Sequence, residues 1–230
     1  MDFSTKELLT FDCYGTLIDW ESGILAALRP VLAAHGVSLE DEPLLELFAE
    51  IESDLEAGPY RPYREVLSTS LSRIASQLSF TPSRAEVEAF SRSVKAWPAF
   101  SDSVEALRVL KRRFKLAVIT NVDDDLFAYS SARLGVDFDW VITAQQAQSY
   151  KPSLTGFNLA FERIPIPRER WLHVAQSLYH DHVPAKELGL KTIWINRRHD
   201  KHGFGATPPA QAAPDLVVPD LAKLAELATT

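Results

Sequence analysis

The sequence predicts an α/β fold in which a parallel β-sheet core is interrupted by an inserted all-helical segment. Three observations favour it: short apolar runs typical of buried strands, segments of helical spacing between them, and one long stretch with helical patterns only. Strands that alternate with helices form parallel sheets through right-handed crossovers, and helices cover both faces. The runs that predict strands are residues 7–12, 115–121, 140–144, 171–176 and 191–196.

The predicted sheet core draws on both ends of the chain. Helical spacing recurs in residues 103–114 and 152–164, which lie between predicted strands. No buried strand is predicted within residues 20–97. We therefore expect a core made of residues 1–19 and 98–230, with residues 20–97 inserted after the first strand as a helical unit, called the cap below.

The cap is predicted from helical patterns and from the residues that end them. Gly36 and Gly58 are typical helix stops, and Pro59 and Pro62 mark a loop between two helices. The cap segments with helical spacing are residues 23–36, 44–58 and 64–78.

Composition limits the kind of protein and its partners. The chain has 230 residues, 46% of them hydrophobic and 24% charged, and a net charge of −7, which argues against a nucleic-acid partner. Cys13 is the single cysteine, so no internal disulfide forms and a reducing compartment is favoured. No apolar run approaches the about 20 residues of a membrane helix, and no signal peptide is recognisable. We expect a soluble cytoplasmic protein without a membrane partner.

Polar side chains follow several of the predicted strands. Asp12 ends the first strand, Thr120 and Asn121 end the second, Lys151 follows the third, and the turn of residues 176–181 follows the fourth. Ligands bind at the carboxyl ends of strands in open α/β sheets. The pattern therefore predicts a site with a carboxylate, a hydroxyl, an amide and an ammonium group.

Four motifs at these positions resemble those of the haloacid dehalogenase superfamily. FDCYGTL (residues 11–17) resembles its first motif, ITN (119–121) the second, YKP (150–152) the third and VAQSLYHD (174–181) the fourth. The resemblance covers nearly the whole chain. It implies a Rossmann-like doubly wound parallel sheet core with an inserted all-helical cap.

Two departures separate the chain from the phosphatases of that superfamily. Their first motif reads Asp-x-Asp, with the second carboxyl protonating a leaving alkoxide, whereas this chain has Tyr14 there. A phenol with a pKa of about 10 is a poor acid at neutral pH. Their fourth motif supplies an Asp to Mg²⁺, whereas this chain has Gln176. The sequence is more similar to the L-2-haloacid dehalogenase (type II) branch, whose chemistry needs no metal or other cofactor.

The resemblance implies a catalytic role for four residues. Asp12 is expected to be the nucleophile that forms an ester with the substrate. Lys151 would hold the Asp12 carboxylate and balance its charge, and Thr16 would donate a hydrogen bond to it. Asp181 would orient the water that hydrolyses the ester.

Five further residues are expected around the substrate. Thr120 resembles the hydroxyl that receives the substrate carboxylate, and Asn121 the amide that helps to receive the halide. Ser177 matches a serine of the family motif, and Tyr14 is expected beside the substrate. His180 is expected near the water or halide, and a metal site at its histidine cluster is disfavoured because no third ligand has suitable spacing.

The cap is expected to supply an arginine to the halide end of the substrate. Residues 38–60 contain no Lys or Arg, so the nearest candidates are Arg61 and Arg64. A loop with two arginines and two tyrosines could clamp a small anion. Solvent-facing arginines over tyrosine rings are an equal alternative.

The sequence thus predicts a metal-independent hydrolase that cleaves the carbon–halogen bond of short 2-haloacids, and a homodimer is compatible with it. Two alternatives stay open: a Mg²⁺-dependent phosphatase of small phosphoesters, and a catalytically silent binding module of the same fold. His173, inside a predicted strand, is expected to be an interior histidine, and Cys13 is expected to pack away from the site.

Overall fold

A computed structural model describes residues 1–229 and contains a six-stranded parallel sheet. Its strand order, β3-β2-β1-β4-β5-β6, is that of Rossmann-like doubly wound sheets, as predicted. Five strands match the predicted apolar runs. The sixth, β6, was not predicted. The strands are β1 (Leu8–Phe11), β2 (Lys115–Thr120), β3 (Trp140–Thr143), β4 (Trp171–Ala175), β5 (Thr192–Ile195) and β6 (Leu216–Val218).

Both faces of the sheet are buried, which explains why its central strands consist of apolar residues. Successive side chains of a strand point to opposite faces. Leu8 and Ala117 accordingly lie in one hydrophobic cluster with Phe157, whereas Leu9 and Val118 lie in a second, larger cluster. The strands therefore show continuous apolar runs rather than an alternation of apolar and polar residues.

Six helices belong to the core side of the chain, and they cover the sheet. The predicted segments at residues 103–114 and 152–164 correspond to α5 and α8. No helix in the described residues is long and apolar enough to cross a bilayer. The core helices are α5 (Ser103–Lys111), α6 (Asp124–Leu134), α7 (Ala144–Ala147), α8 (Thr155–Arg163), α9 (Val183–Glu187) and α10 (Leu221–Thr229).

Between β1 and α5 the described residues form helices and loops but no strand, as predicted for the cap. Three of the four match predicted segments, and α4 was not predicted. Cap side chains such as Phe48 and Leu67 belong to the same cluster as Leu9 of the sheet, so the cap packs directly on the core. The exact boundaries between core and cap, at residues 20 and 97, stay a prediction. The cap helices are α1 (Trp20–Ala34), α2 (Asp41–Glu56), α3 (Tyr63–Gln77) and α4 (Arg84–Ser91).

Candidate active site

The strand order places the candidate site where the direction of the sheet reverses. β1 pairs with β2 on one side and with β4 on the other, so the loops after β1 and β4 diverge and leave a crevice. Asp12 directly follows β1, and Asp181 lies in the turn Leu178–His182 after β4. Both carboxylates therefore reach the same crevice.

Both oxygens of the Asp12 carboxylate are held, one from the turn after β1 and one from the loop after β3. Thr16 Oγ1 donates to Oδ2 at 2.6 Å, and Lys151 Nζ donates to Oδ1 at 2.9 Å. Thr16 is itself fixed, because its oxygen accepts from the backbone N–H of Gln176 at 2.9 Å. Gly15 has a φ of +88°, and a side chain there would meet Trp20 and Gln176 at 3.0 Å. The sequence after Asp12 therefore needs glycine to bring Thr16 back to the carboxylate.

Lys151 connects the carboxylates of Asp12 and Asp181. Its ammonium group lies 2.9 Å from Asp12 Oδ1 and 2.6 Å from Asp181 Oδ1. It also donates to the carbonyl of Ile119 at 2.9 Å, so its three protons all have partners. The side chain is 3% exposed. The structure thus brings together the four residues predicted to be catalytic, while their roles remain predictions.

A histidine that the sequence analysis placed in the interior supports Asp181. His173 Nε2 lies 2.9 Å from Asp181 Oδ1, and His173 Nδ1 lies 2.9 Å from Thr10 Oγ1. An ionised carboxylate only accepts hydrogen bonds, so His173 Nε2 donates to Asp181. His173 is indeed fully buried, but it also orients Asp181. The other oxygen, Asp181 Oδ2, is buried and has no hydrogen-bond partner among the described residues.

Burial and charge act against each other on these groups. Burial raises the pKa of Asp12, while Lys151 and the Thr16 hydroxyl counteract the rise. Burial alone would raise the pKa of Asp181 too, but Lys151 and His173 hold it well below its ordinary range. Burial alone would lower the pKa of Lys151, but the two aspartates raise it above its ordinary value. Lys151 is therefore a permanent cation, and Asp181 a permanent anion, at neutral pH.

The crevice contains a cavity of about 400 Å³, counting the part open to solvent. Four residues predicted near the substrate line it with Asp12, Lys151 and Asp181. Tyr14 Oη lies 2.9 Å from Ser130 Oγ. Ser177 Oγ lies 3.1 Å from His180 Nδ1, and burial lowers the pKa of His180 to about 4. The four residues are Tyr14, Asn121, Ser177 and His180.

Three residues predicted to bind the substrate do not line this cavity. Arg64 pairs with Asp125 at 2.6 Å and lines a separate cavity, so its contact with the substrate stays a prediction that this arrangement does not support. Arg61 is also absent from the lining, and its carbonyl accepts from the Tyr150 hydroxyl at 2.8 Å. Thr120 is also absent from the lining, and its buried hydroxyl has no partner among residues 1–229.

The cap contributes residues to the cavity that the sequence analysis did not predict. Glu52 and Glu56 lie one turn apart on α2, and Tyr63 begins α3. Tyr63 donates to Glu52 Oε1 at 2.5 Å. Burial raises the pKa of Glu52 to about 8, and burial together with the charge of Glu52 raises the pKa of Glu56 well above its ordinary value. Trp20 and Thr207 complete the lining.

The residues at the site do not fit a Mg²⁺ ion between the two aspartates. Mg²⁺ needs near-octahedral oxygen ligands at about 2.0–2.1 Å. The ammonium of Lys151 already bridges Asp12 and Asp181, and Gln176 supplies an amide rather than a third carboxylate. No cluster of three or more His, Cys, Asp or Glu in the described part of the chain is arranged to hold a metal.

Comparison with known proteins agrees with this arrangement. A model of the haloacid dehalogenase-like hydrolase family matches residues 6–181. Haloacetate dehalogenase H-2 of Moraxella sp. (strain B) is 26% identical over 219 residues, which are 93% of each chain. An (S)-2-haloacid dehalogenase of Pseudomonas fluorescens is 26% identical over 220 residues, 93% of this chain and 92% of its own.

The fold is similar to that of a solved relative, L-2-haloacid dehalogenase from Xanthobacter autotrophicus. The TM-score is 0.80 at 21% identity, over 97% of this chain and 98% of that chain. The family match spans most of the sequence and includes all four motifs. The chain belongs to the haloacid dehalogenase-like hydrolase family.

Proposed function

We propose that the protein hydrolyses the carbon–halogen bond of a short 2-haloacid through an ester on Asp12, without a metal. The observation that carries this proposal is the setting of Asp12, whose two oxygens are oriented by Thr16 and Lys151 beside the cavity. Burial raises the pKa of the Tyr14 hydroxyl well above its ordinary value, so this residue is a poor proton donor. A halide needs no proton to leave, whereas an alkoxide does.

The reaction would proceed in two displacements. A carboxylate oxygen of Asp12 bonds to C2 of the substrate while the carbon–halogen bond breaks, and the halide leaves with the bonding electrons. Attack from the rear inverts the carbon and is consistent with an L substrate. Water then attacks the carboxyl carbon of the ester, so the bond between that carbon and the substrate oxygen breaks. A 2-hydroxyacid departs, one proton is released to solvent, and Asp12 is regenerated.

Asp181 and Lys151 would support the second displacement. Asp181 Oδ2 is buried and unpaired, so it can accept a hydrogen bond from the attacking water. Its pKa lies well below the ordinary range, so we assign it the orientation of the water rather than its deprotonation. Lys151 Nζ, 2.9 Å from Asp12 Oδ1, would stabilise the negative charge that develops on the ester oxygen.

Halide release tests the proposal directly. The substrates are chloroacetate, fluoroacetate and each enantiomer of 2-chloropropionate, with and without a chelator, for the wild type and Asp12→Asn. We expect chelator-resistant release that the variant abolishes. A single turnover in ¹⁸O-labelled water should place unlabelled oxygen in the product, because that oxygen comes from Asp12.

Two results would overturn the proposal. Chelator-sensitive phosphate release from small phosphoesters, without halide release, would favour the phosphatase. Halide release that survives in Asp12→Asn would exclude the ester. The homodimer and the cytoplasmic location remain predictions beside this function.

A further inference from the structure

The cap adds two carboxyl groups to a cavity that already holds two aspartates. Glu52 and Glu56 both line the cavity that contains Asp12. Glu52 is 3% exposed, and the side chain of Glu56 is 5% exposed. Glu56 also lines an adjoining outer cleft of about 550 Å³, counting the part open to solvent. It therefore stands between solvent and the nucleophile.

Neither of these cap carboxyls forms an ion pair with a lysine or arginine within residues 1–229. Glu52 accepts from the Tyr63 hydroxyl, and Glu56 accepts from Asn121 Nδ2 at 3.0 Å. His180 Nε2 lies 3.9 Å from Glu56, but its imidazole is neutral because burial lowers its pKa to about 4. A buried carboxyl without a cation is more stable in its protonated form. At neutral pH both groups therefore carry a proton that they can donate.

The ammonium and amide donors around the cavity, on Lys151 and Asn121, already donate to groups of the protein. Lys151 is the one lysine or arginine among the described residues that lines it. Its ammonium group donates its three protons to Asp12, Asp181 and the carbonyl of Ile119. Asn121 Nδ2 donates to Glu56 and to the Lys151 carbonyl, each at 3.0 Å. A substrate carboxylate that enters this cavity thus meets no free cation. The groups that it meets there are the carboxyls of Glu52 and Glu56.

We infer that Glu56, backed by Glu52, is the specificity-determining residue that donates a hydrogen bond, as a neutral carboxylic acid, to the anionic end of the substrate. This inference rests on the proposed function. Hydrogen bonds from a neutral O–H to a carboxylate are short and strong. They select a monoanionic substrate without placing a second cation beside Lys151, where it would compete for Asp12.

The same arrangement makes recognition depend on pH. Once Glu56 ionises, it accepts rather than donates, and its charge repels the substrate carboxylate. The titratable groups that face it come from α2, from the start of α3, from the loop after β3 and from the turn after β4. They are Glu52, Tyr63, Tyr150, Lys151 and His180.

Binding of propionate, which has hydrogen in place of the halogen of 2-chloropropionate and so cannot react, tests the inference independently of turnover. Calorimetric titration from pH 6 to pH 9 compares the wild type with Glu56→Gln, whose amide keeps a donor but cannot ionise. Glu50→Gln, on the exposed side of α2, is the matched control. We expect the wild type and the control to lose affinity about tenfold or more as pH rises, and Glu56→Gln to bind with a nearly constant affinity. Glu56→Leu, where it folds, should bind about tenfold more weakly already at pH 6.

The opposite pattern would overturn the inference. Loss of propionate binding in Glu56→Gln at pH 6, or tighter binding by the wild type at pH 9 than at pH 6, would mean that Glu56 does not act as a neutral hydrogen-bond donor to the ligand. A constant affinity in the wild type together with an unchanged affinity in Glu56→Leu at pH 6 would mean that Glu56 does not meet the ligand. Propionate binding of the expected pattern without halide release would refute the proposed function and leave the inference standing.

Discussion

Replacing Glu52 with glutamine should change how the stability of the protein depends on pH. The Glu52 carboxyl is buried on α2, and burial raises its pKa from 4.5 to about 8. Between these values the unfolded chain loses the proton and the folded chain keeps it, so the stability falls as pH rises. A full pH unit between these values costs about 1.4 kcal/mol, but the slope flattens near pH 8, where the folded group is half ionised, so the loss from pH 6 to pH 8 is about 2 kcal/mol. Above about pH 9 this contribution is constant.

Glutamine matches the protonated acid in size and can still accept from the Tyr63 hydroxyl, but it has no proton to lose. The unfolding free energy of Glu52→Gln relative to the wild type should therefore rise by about 2 kcal/mol between pH 6 and pH 8. Urea denaturation followed by circular dichroism at pH 6, 7, 8 and 9 measures it. Glu50→Gln, exposed on the same helix, removes one carboxyl and should run parallel to the wild type. Parallel curves for Glu52→Gln and the wild type would refute the reasoning.

Substitutions at Thr16 and His173 test the groups that support ester formation and ester hydrolysis. Thr16→Val removes the hydroxyl that donates to Asp12 at 2.6 Å, so kcat should fall about 10- to 100-fold. Thr16→Ser keeps a hydroxyl and should keep most of the activity. Equal rates for the valine and serine variants would exclude this role of Thr16. His173→Phe removes the donor to Asp181, so ester hydrolysis should slow more than halide release. Rapid-quench measurements should then show a burst of about one halide per site, and mass spectrometry should show the ester on Asp12. Slower release without a burst would contradict this role for His173.

The sheet core was predicted because its strands are buried on both faces. Such strands appear as continuous apolar runs, as in β1 and β2, where every residue except Lys115 is buried. The edge strand β6 has only three residues, and Val217 is about half exposed. It leaves no run long enough to recognise.

Asp12, Lys151 and Asp181 could be placed together for a related reason. Each follows a strand of one parallel sheet, and the carboxyl ends of such strands share an edge. The positions of the cap side chains relative to the site do not follow from the order of the strands. Arg64 was expected at the substrate because the sequence offered no nearer cation, but it pairs with Asp125 at the start of α6.

The spacing of residues in the sequence does indicate that the cap carboxyls are buried. Residues four apart share one face of a helix, and Glu52 lies four residues after the buried Phe48 and four before Glu56. A carboxyl within an apolar stripe indicates a buried group. The sequence could not show what faces it, because that depends on how α2 packs over the carboxyl end of the sheet.

The cap carboxyls and the nucleophile belong to one hydrogen-bonded network, which makes substrate recognition and chemistry interdependent. Asn121 donates to Glu56 at 3.0 Å, and its oxygen accepts from the backbone N–H of Lys151 at 2.7 Å. The cap is held at this point, because the Tyr63 N–H donates to Asp123 at 3.1 Å, two residues after Asn121. Ionisation of Glu56 would therefore add a negative charge beside the lysine that balances Asp12 and Asp181. A neutral acid avoids this, since it gives the substrate a donor and leaves the positive charge of Lys151 to the nucleophile.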